Sequence, residues 1–132
     1  GCVACGAWPE TLAKLNLDLA VAPLERNRFN RCKSDLRILE YGAMGWPVIA
    51  TDIEPYLDAP VHLVTNQTRA WVNAIRDHVH DPDANWKAGD VLREWVRDNR
   101  MLQGHLDDWI DVLDPAGNSH RQSLIPSKAS GL

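Results

Sequence analysis

Glu40 is the residue whose type and position point most directly to chemistry. It stands one step from Leu39, on the edge of a helical apolar stripe made by Leu36, Leu39 and Ala43. A carboxylate there faces the core or a cleft, and when ionised it needs a donor partner. Lys33 and Ser34 stand at the start of the same helix. A helix N-terminus offers free backbone N–H groups and the positive end of a dipole, so this pair marks a site for phosphate. Arg31, with Arg26 and Arg28, belongs to a polar stretch from Glu25 to Arg31. Guanidinium groups pair with diphosphate through two parallel hydrogen bonds. Each feature also has a plainer reading: a carboxylate bonded to a neighbouring backbone or arginine, an N-cap beside a solvated lysine, and a solvated arginine loop. Glu25 and Asn30 share that loop with a weaker case, and Asp35 and Arg37 read as exposed helix residues.

The elements that must position these side chains can be read from spacing and punctuation. Ser34 is a good N-cap for the helix that carries Glu40. Gly45 and Pro47 end it, with glycine past the last turn and proline beyond. Pro47 to Thr51 is a short apolar, β-branched run, typical of a strand buried on both faces. Before it, Pro9 to Leu15 reads as a short helix and Leu17 to Pro23 as a strand. The polar loop between that strand and the main helix lies where ligands gather in open α/β sheets. After it come a loop with two prolines from Asp52 to Pro60 and a third strand, Val61 to Val64. Asn66 to His80 is an amphipathic helix with Trp71, Ile75 and Val79 at spacing four. Asp81-Pro82-Asp83 breaks it. Trp86 to Met101 forms another helix, with Val91, Trp95 and Val96 toward the core. Leu106, Trp109, Ile110 and Leu113 mark the last one.

The segment Asn30 to Asp52, NRCKSDLRILEYGAMGWPVIATD, resembles the donor-binding helix of retaining glycosyltransferases of the GT-B fold, which have two facing Rossmann-like domains. That family carries a Glu-x7-Glu pattern and, after it, a Gly-x-Pro-Val strand. Glu40 matches the second glutamate, and Gly45-Trp46-Pro47-Val48-Ile49-Ala50-Thr51 matches the Gly-x-Pro-Val strand. Upstream, LNLDLAVAPLERNRFNRCKSD resembles the strand and loop of a bacterial subgroup with an Asn-x-x-Lys-Ser-Asp type loop. The likeness runs roughly from Trp8 to Trp109 and is strongest between Leu15 and Tyr56. It implies that Glu40 holds the ribose hydroxyls of a nucleoside diphosphate sugar, with no metal or other cofactor. The first glutamate of the pattern falls at Cys32 here, a residue that cannot accept hydrogen bonds as a carboxylate does. The chain matches the second half of a donor domain, so the acceptor domain and first donor strands are expected elsewhere.

The resulting expectation is a partial Rossmann-like, three-layer α/β domain over residues 1–113. It has a short parallel sheet flanked by helices, then C-terminal helices, with a loose tail over 114–132 rich in Pro, Gly, Ser, Asn and His. A sheet of three strands, or four if Gly1 to Ala4 counts, leaves an exposed edge, which predicts a homodimer or a swapped assembly. The alternative class is a stand-alone fragment without chemistry, acting as a binding or oligomeric structural module. With 132 residues, 45% hydrophobic composition and six tryptophans, one compact domain can bury a core. A net charge of -4 with no basic patch argues against nucleic acid. No apolar run approaches the roughly 18–20 residues of a membrane span, and no signal peptide is visible, so the expected compartment is the cytoplasm. Cys2 and Cys5 form a Cys-x-x-Cys pair, but the second pair of a structural zinc site is missing. A thiol redox module built on that pair is a third, weaker reading. The five histidines, His62, His78, His80, His105 and His120, form no ligand cluster in the sequence.

Overall fold

The computed structural model describes residues 7–113. The pair Cys2 and Cys5, the strand considered at Gly1 to Ala4 and the tail from Asp114 lie outside them. The chain divides after Arg100 into two compact units. In the first, helices and strands alternate as α1 (Trp8–Ala13), β1 (Ala20–Ala22), α2 (Arg28–Arg31), α3 (Leu36–Met44), β2 (Val48–Thr51), β3 (His62–Val64), α4 (Thr68–His80) and α5 (Pro82–Asn99). A single 3₁₀ turn, Glu54–Tyr56, lies between β2 and β3. The described part of the second unit is a 3₁₀ turn, Leu102–His105, and then α6 (Leu106–Leu113).

The first unit is an α/β structure around a short, open, parallel sheet in the order β1-β2-β3. All four residues of β2 are buried, as expected for a central strand with apolar cover on both faces. Alternation along β2 sends Val48 and Ala50 to one face and Ile49 to the other. The first face meets Leu12 of α1, Ile38 of α3 and Leu92 of α5, with Trp46, Ile53 and Tyr56 closing the cluster. The second face is smaller: Ile49 and Val64 pack under Ala74 of α4, with Leu19, Ala70 and Trp71 at its margin. Fully burying a side chain such as Ile38, Ile49 or Leu92 stabilises the fold by roughly 1.5–3 kcal/mol.

The helices pack closely because glycines let them. A Cβ added at Gly42 of α3 would lie 2.7 Å from Val96 Cγ2 and 2.9 Å from Leu92 Cγ of α5. One added at Gly89 of α5 would lie 2.2 Å from the Gly45 carbonyl oxygen. Gly45 itself ends α3 with φ 76°, the left-handed value that favours glycine. Its N–H donates to the Gly42 carbonyl and the Trp46 N–H donates to that of Tyr41, the double bond of a Schellman turn. Arg93 Nη2 donates to the Met44 carbonyl at 2.9 Å, placing a cation at the helix's negative end.

Side chains latch the short strands at both ends. At the carboxyl edge Leu24 N–H donates to Thr51 Oγ1 (2.9 Å), which donates to Asn66 Oδ1 (2.9 Å), and Asn66 Nδ2 donates to the Leu24 carbonyl (2.6 Å). At the amino edge Asn85 Nδ2 donates to the Asp18 carbonyl (2.8 Å), leaving Asn85 Oδ1 to accept from His78 Nδ1 (2.7 Å). His78 Nε2 then lies 3.1 Å from His62 Nδ1 on β3. Between α4 and α5 there is no loop. Asp81 closes the first helix and caps the second, accepting from Ala84 N–H through Oδ1.

Several expected registers shift. Leu36 is 58% exposed and Ala43 is exposed, because α3 turns Ile38 and Gly42 inward. On α4, Val79 is exposed and Ala74 is the buried contact. On α5, Val91 is exposed while Asn85, Gly89, Leu92 and Val96 point in. Trp109 is 55% exposed rather than part of a core stripe. The loop Glu25 to Arg31 closes into α2: Asn27 accepts from Asn30 N–H, and buried Asn30 donates to the Glu25 carbonyl. Among the described residues no helix is long and apolar enough to cross a membrane.

Candidate functional site

The first strand sends the chain toward α3 over the carboxyl edge of the sheet. Leu24 comes after β1 there, Tyr56 comes after β2, and the first turns of α3 rise beside them. These residues enclose a pocket of about 260 Å³ lined by Leu24, Lys33, Ser34, Leu36, Arg37, Glu40 and Tyr56. The structure therefore gathers Glu40, Lys33 and Ser34, three of the four residues singled out from the sequence. It does not bring Arg31 to them. The Arg31 guanidinium pairs instead with Glu54, both side chains remaining about half exposed.

Ser34 is not the N-cap of α3. The helix begins one residue later, at Asp35, whose side chain makes no capping hydrogen bond. The reason is competition: Asp35 Oδ2 accepts from Arg100 Nε at 3.2 Å, and the Arg100 guanidinium lies 4.9 Å from the centre of the Trp95 ring. Ile38 and Leu39 both donate to the Asp35 carbonyl, so the N–H groups of Leu36 and Arg37 precede the hydrogen-bonded turn. Ser34, outside the helix, lines the pocket.

Glu40 is held at both oxygens. Trp8 Nε1 donates to Oε1 at 3.0 Å, and Arg37 Nη1 donates to Oε2 at 3.1 Å. Its side chain keeps only 22% of its exposure, against 48% for Arg37. The carboxylate is thus half-buried, paired and still facing the pocket. Lys33 Nζ rests 5.1 Å from the centre of the exposed Phe29 ring, a cation–π contact beside the pocket. Tyr56 closes the pocket floor, 4% exposed. Burial pushes its phenol pKa above the ordinary value, the nearby Arg37 charge opposing this. A hydrogen bond at its own backbone pulls the Glu54 carboxyl below the usual range, and the Arg31 charge adds to this.

The pocket wall holds Glu40 paired with Arg37, and its other polar groups are Lys33, Ser34 and the start of α3. It suits a ligand that carries hydroxyls and negative charge. Trp46, in the variable slot of its motif, does not line the pocket; it is 6% exposed and packs 6.0 Å from Tyr41, ring centre to ring centre. Cys32 is an exposed free thiol at the end of α2. Among the described residues no group of three or more His, Cys, Asp or Glu side chains is placed to hold a metal ion.

Sequence reasoning missed Arg37, Tyr56 and Trp8. The spacing of three between Arg37 and Glu40 was a usable signal, since such residues meet on a helix face. Nothing in the sequence places Trp8 or Tyr56 near Glu40, because tertiary packing alone brings them there. Compared with known proteins, the chain matches no family model, no curated protein and no solved structure.

Proposed function

We propose that the chain is the nucleotide-sugar-binding portion of a GT-B-type glycosyltransferase, built on part of a Rossmann-like domain. The observation that carries this reading is the convergence of Glu40, Lys33 and Ser34 on one pocket at the carboxyl edge of a parallel sheet. In this reading Glu40 accepts from the ribose hydroxyls. Lys33, Ser34 and the N-terminus of α3 hold the diphosphate, where negative charge grows as the sugar leaves for its acceptor. The sugar subsite differs from the family pattern at Cys32, and the groups that act on the acceptor come from outside these residues. Thermal-shift titration with UDP, GDP and their common sugars tests the reading. One nucleotide should raise the Tm of the native chain, by a stabilisation of about 2.7 kcal/mol at a hundredfold excess over Kd. Glu40→Ala should sharply reduce the rise. No shift with any nucleotide would remove the proposal.

A second reading, a binding or oligomeric module without chemistry, is favoured by Val21. This residue lies on β1 at the sheet's margin, 44% exposed on the face that α4 covers over β2 and β3. Among the described residues no strand pairs with the outer side of β1. Homodimerisation through that edge would cover it. Light scattering that finds only monomer across a dilution series would sink this second reading.

A further inference from the structure

Trp8 has no place in the motif that drew attention to Glu40, yet its indole N–H reaches that carboxylate across 32 residues of sequence. The last torsion of a glutamate is broad, so a carboxylate fixed at one oxygen still swings its other oxygen. Glu40 is fixed at both. Arg37 takes Oε2 from the same helix, with its side chain half-exposed. Trp8 takes Oε1 from a separate element, α1, whose Leu12 is 4% exposed in the main core cluster. Trp8 is itself 38% exposed, but its backbone is carried on α1, so the indole gives the carboxylate a second anchor from outside its own helix.

The same geometry determines what is left for a ligand. A carboxylate has about four lone-pair positions over its two oxygens. Trp8 and Arg37 each take one, leaving room for a further donor on each oxygen. An indole N–H can only donate, so it never competes as an acceptor for a ligand hydroxyl. We propose that Trp8 is a positioning residue that fixes Glu40 in the orientation needed to accept two hydroxyl hydrogens from one ligand, and so sets the site's preference for a vicinal diol over its deoxy analogue. This rests on the nucleotide-binding reading of the pocket.

The test compares the affinity of UDP and GDP with that of their 2′-deoxy counterparts, in wild type, Trp8→Phe, Glu40→Ala and the double variant. Phenylalanine keeps an aromatic ring and removes the donor. Trp8→Phe should weaken the ribonucleotide about tenfold, the order expected for one charge-assisted hydrogen bond, and weaken the deoxynucleotide less. The ribose preference should shrink accordingly, and the double variant should bind no worse than Glu40→Ala alone. An unchanged preference, or equal weakening of both ligands, would overturn the positioning role and leave the nucleotide site standing. Failure of the wild type to bind any nucleotide would remove the site and this role together. A ligand-free measurement stands beside these: the Trp8 indole N–H resonance should move in Glu40→Ala, and a resonance that stays put would overturn the role by itself.

Discussion

Asn66 and Leu24 lie 42 residues apart, yet the Asn66 amide donates to the Leu24 carbonyl at 2.6 Å. The Thr51 hydroxyl completes the contact by accepting from the Leu24 N–H and donating to Asn66 Oδ1. One fully buried threonine thus ties together the segments that leave all three strands. Leu24 is also a wall of the pocket, so the pocket's position depends on this latch.

Thr51→Val keeps the shape of the side chain and removes the hydroxyl from the half-buried Leu24 N–H and the exposed Asn66 amide. It should cost about 1–2 kcal/mol, and Asn66→Ala about 1 kcal/mol, in urea unfolding. Together they should cost clearly less than the sum, because they break one network. Asn85→Ala, which opens the amino-edge latch, should add to Thr51→Val within about 0.5 kcal/mol. A strictly additive Thr51/Asn66 pair would show that the latch is not cooperative.

The glycines of the α3–α5 contact should respond in a ranked order. At Gly89 an added methyl meets the Gly45 backbone, which cannot swing aside. At Gly42 it meets the buried Val96 and Leu92 side chains, which must repack but are not backbone. Gly89→Ala should therefore destabilise by about 3 kcal/mol and Gly42→Ala by about 1–2 kcal/mol, both net of the helix gain of about 1 kcal/mol for alanine. Equal denaturation midpoints for the two variants would contradict this.

Stability should fall at alkaline pH through Tyr56. Its pKa in the folded chain is raised by burial, so the native state disfavours the phenolate. The contribution is fully present below the unfolded pKa of about 10 and is lost as pH rises through the higher folded value. Tyr56→Phe removes the ionisable group, so its melting temperature should decline less steeply above that pH. Parallel curves for the two proteins would rule Tyr56 out as the cause.

Acid should act through Glu54 in the opposite sense. Its folded pKa is lowered, so its contribution is present above the unfolded carboxyl value and is lost as pH falls through the folded one. Glu54→Gln should flatten the acid limb of a stability profile. Since Arg31 and Glu54 are about half exposed, the effect should shrink in high salt. An acid limb unchanged in Glu54→Gln would assign the loss to other carboxylates.

Punctuation and apolar strands were the legible part of the sequence. Gly45 and Pro47 ended α3 where expected, and Val48 to Thr51 is the buried central strand. Glu40, Lys33 and Ser34 came together because they share one helix start, a local relation that spacing can express. The inward helix faces were harder to read. On α5 the inward positions Asn85, Gly89, Leu92 and Val96 keep a helical period, but two of them carry no hydrophobic side chain. Counting apolar residues selects Val91 instead. Gly42 hides α3's packing face for the same reason, since a close approach selects for the absence of a side chain. The helix starts after Asp35 rather than Ser34, and the Asp35 carboxylate pairs with Arg100, remote in sequence, instead of capping.

The double duty of Asp81 has a mechanical consequence. With no residue to spare between α4 and α5, the corner is an elbow without slack. One arm lies on the sheet's second face, and the other lies against α3, the helix that bears Glu40. The seat of α4 on the sheet therefore sets the direction in which α5 departs toward the helix that carries the carboxylate, with no intervening segment to absorb a difference. Lengthening the corner by a residue would uncouple the two arms without touching either face.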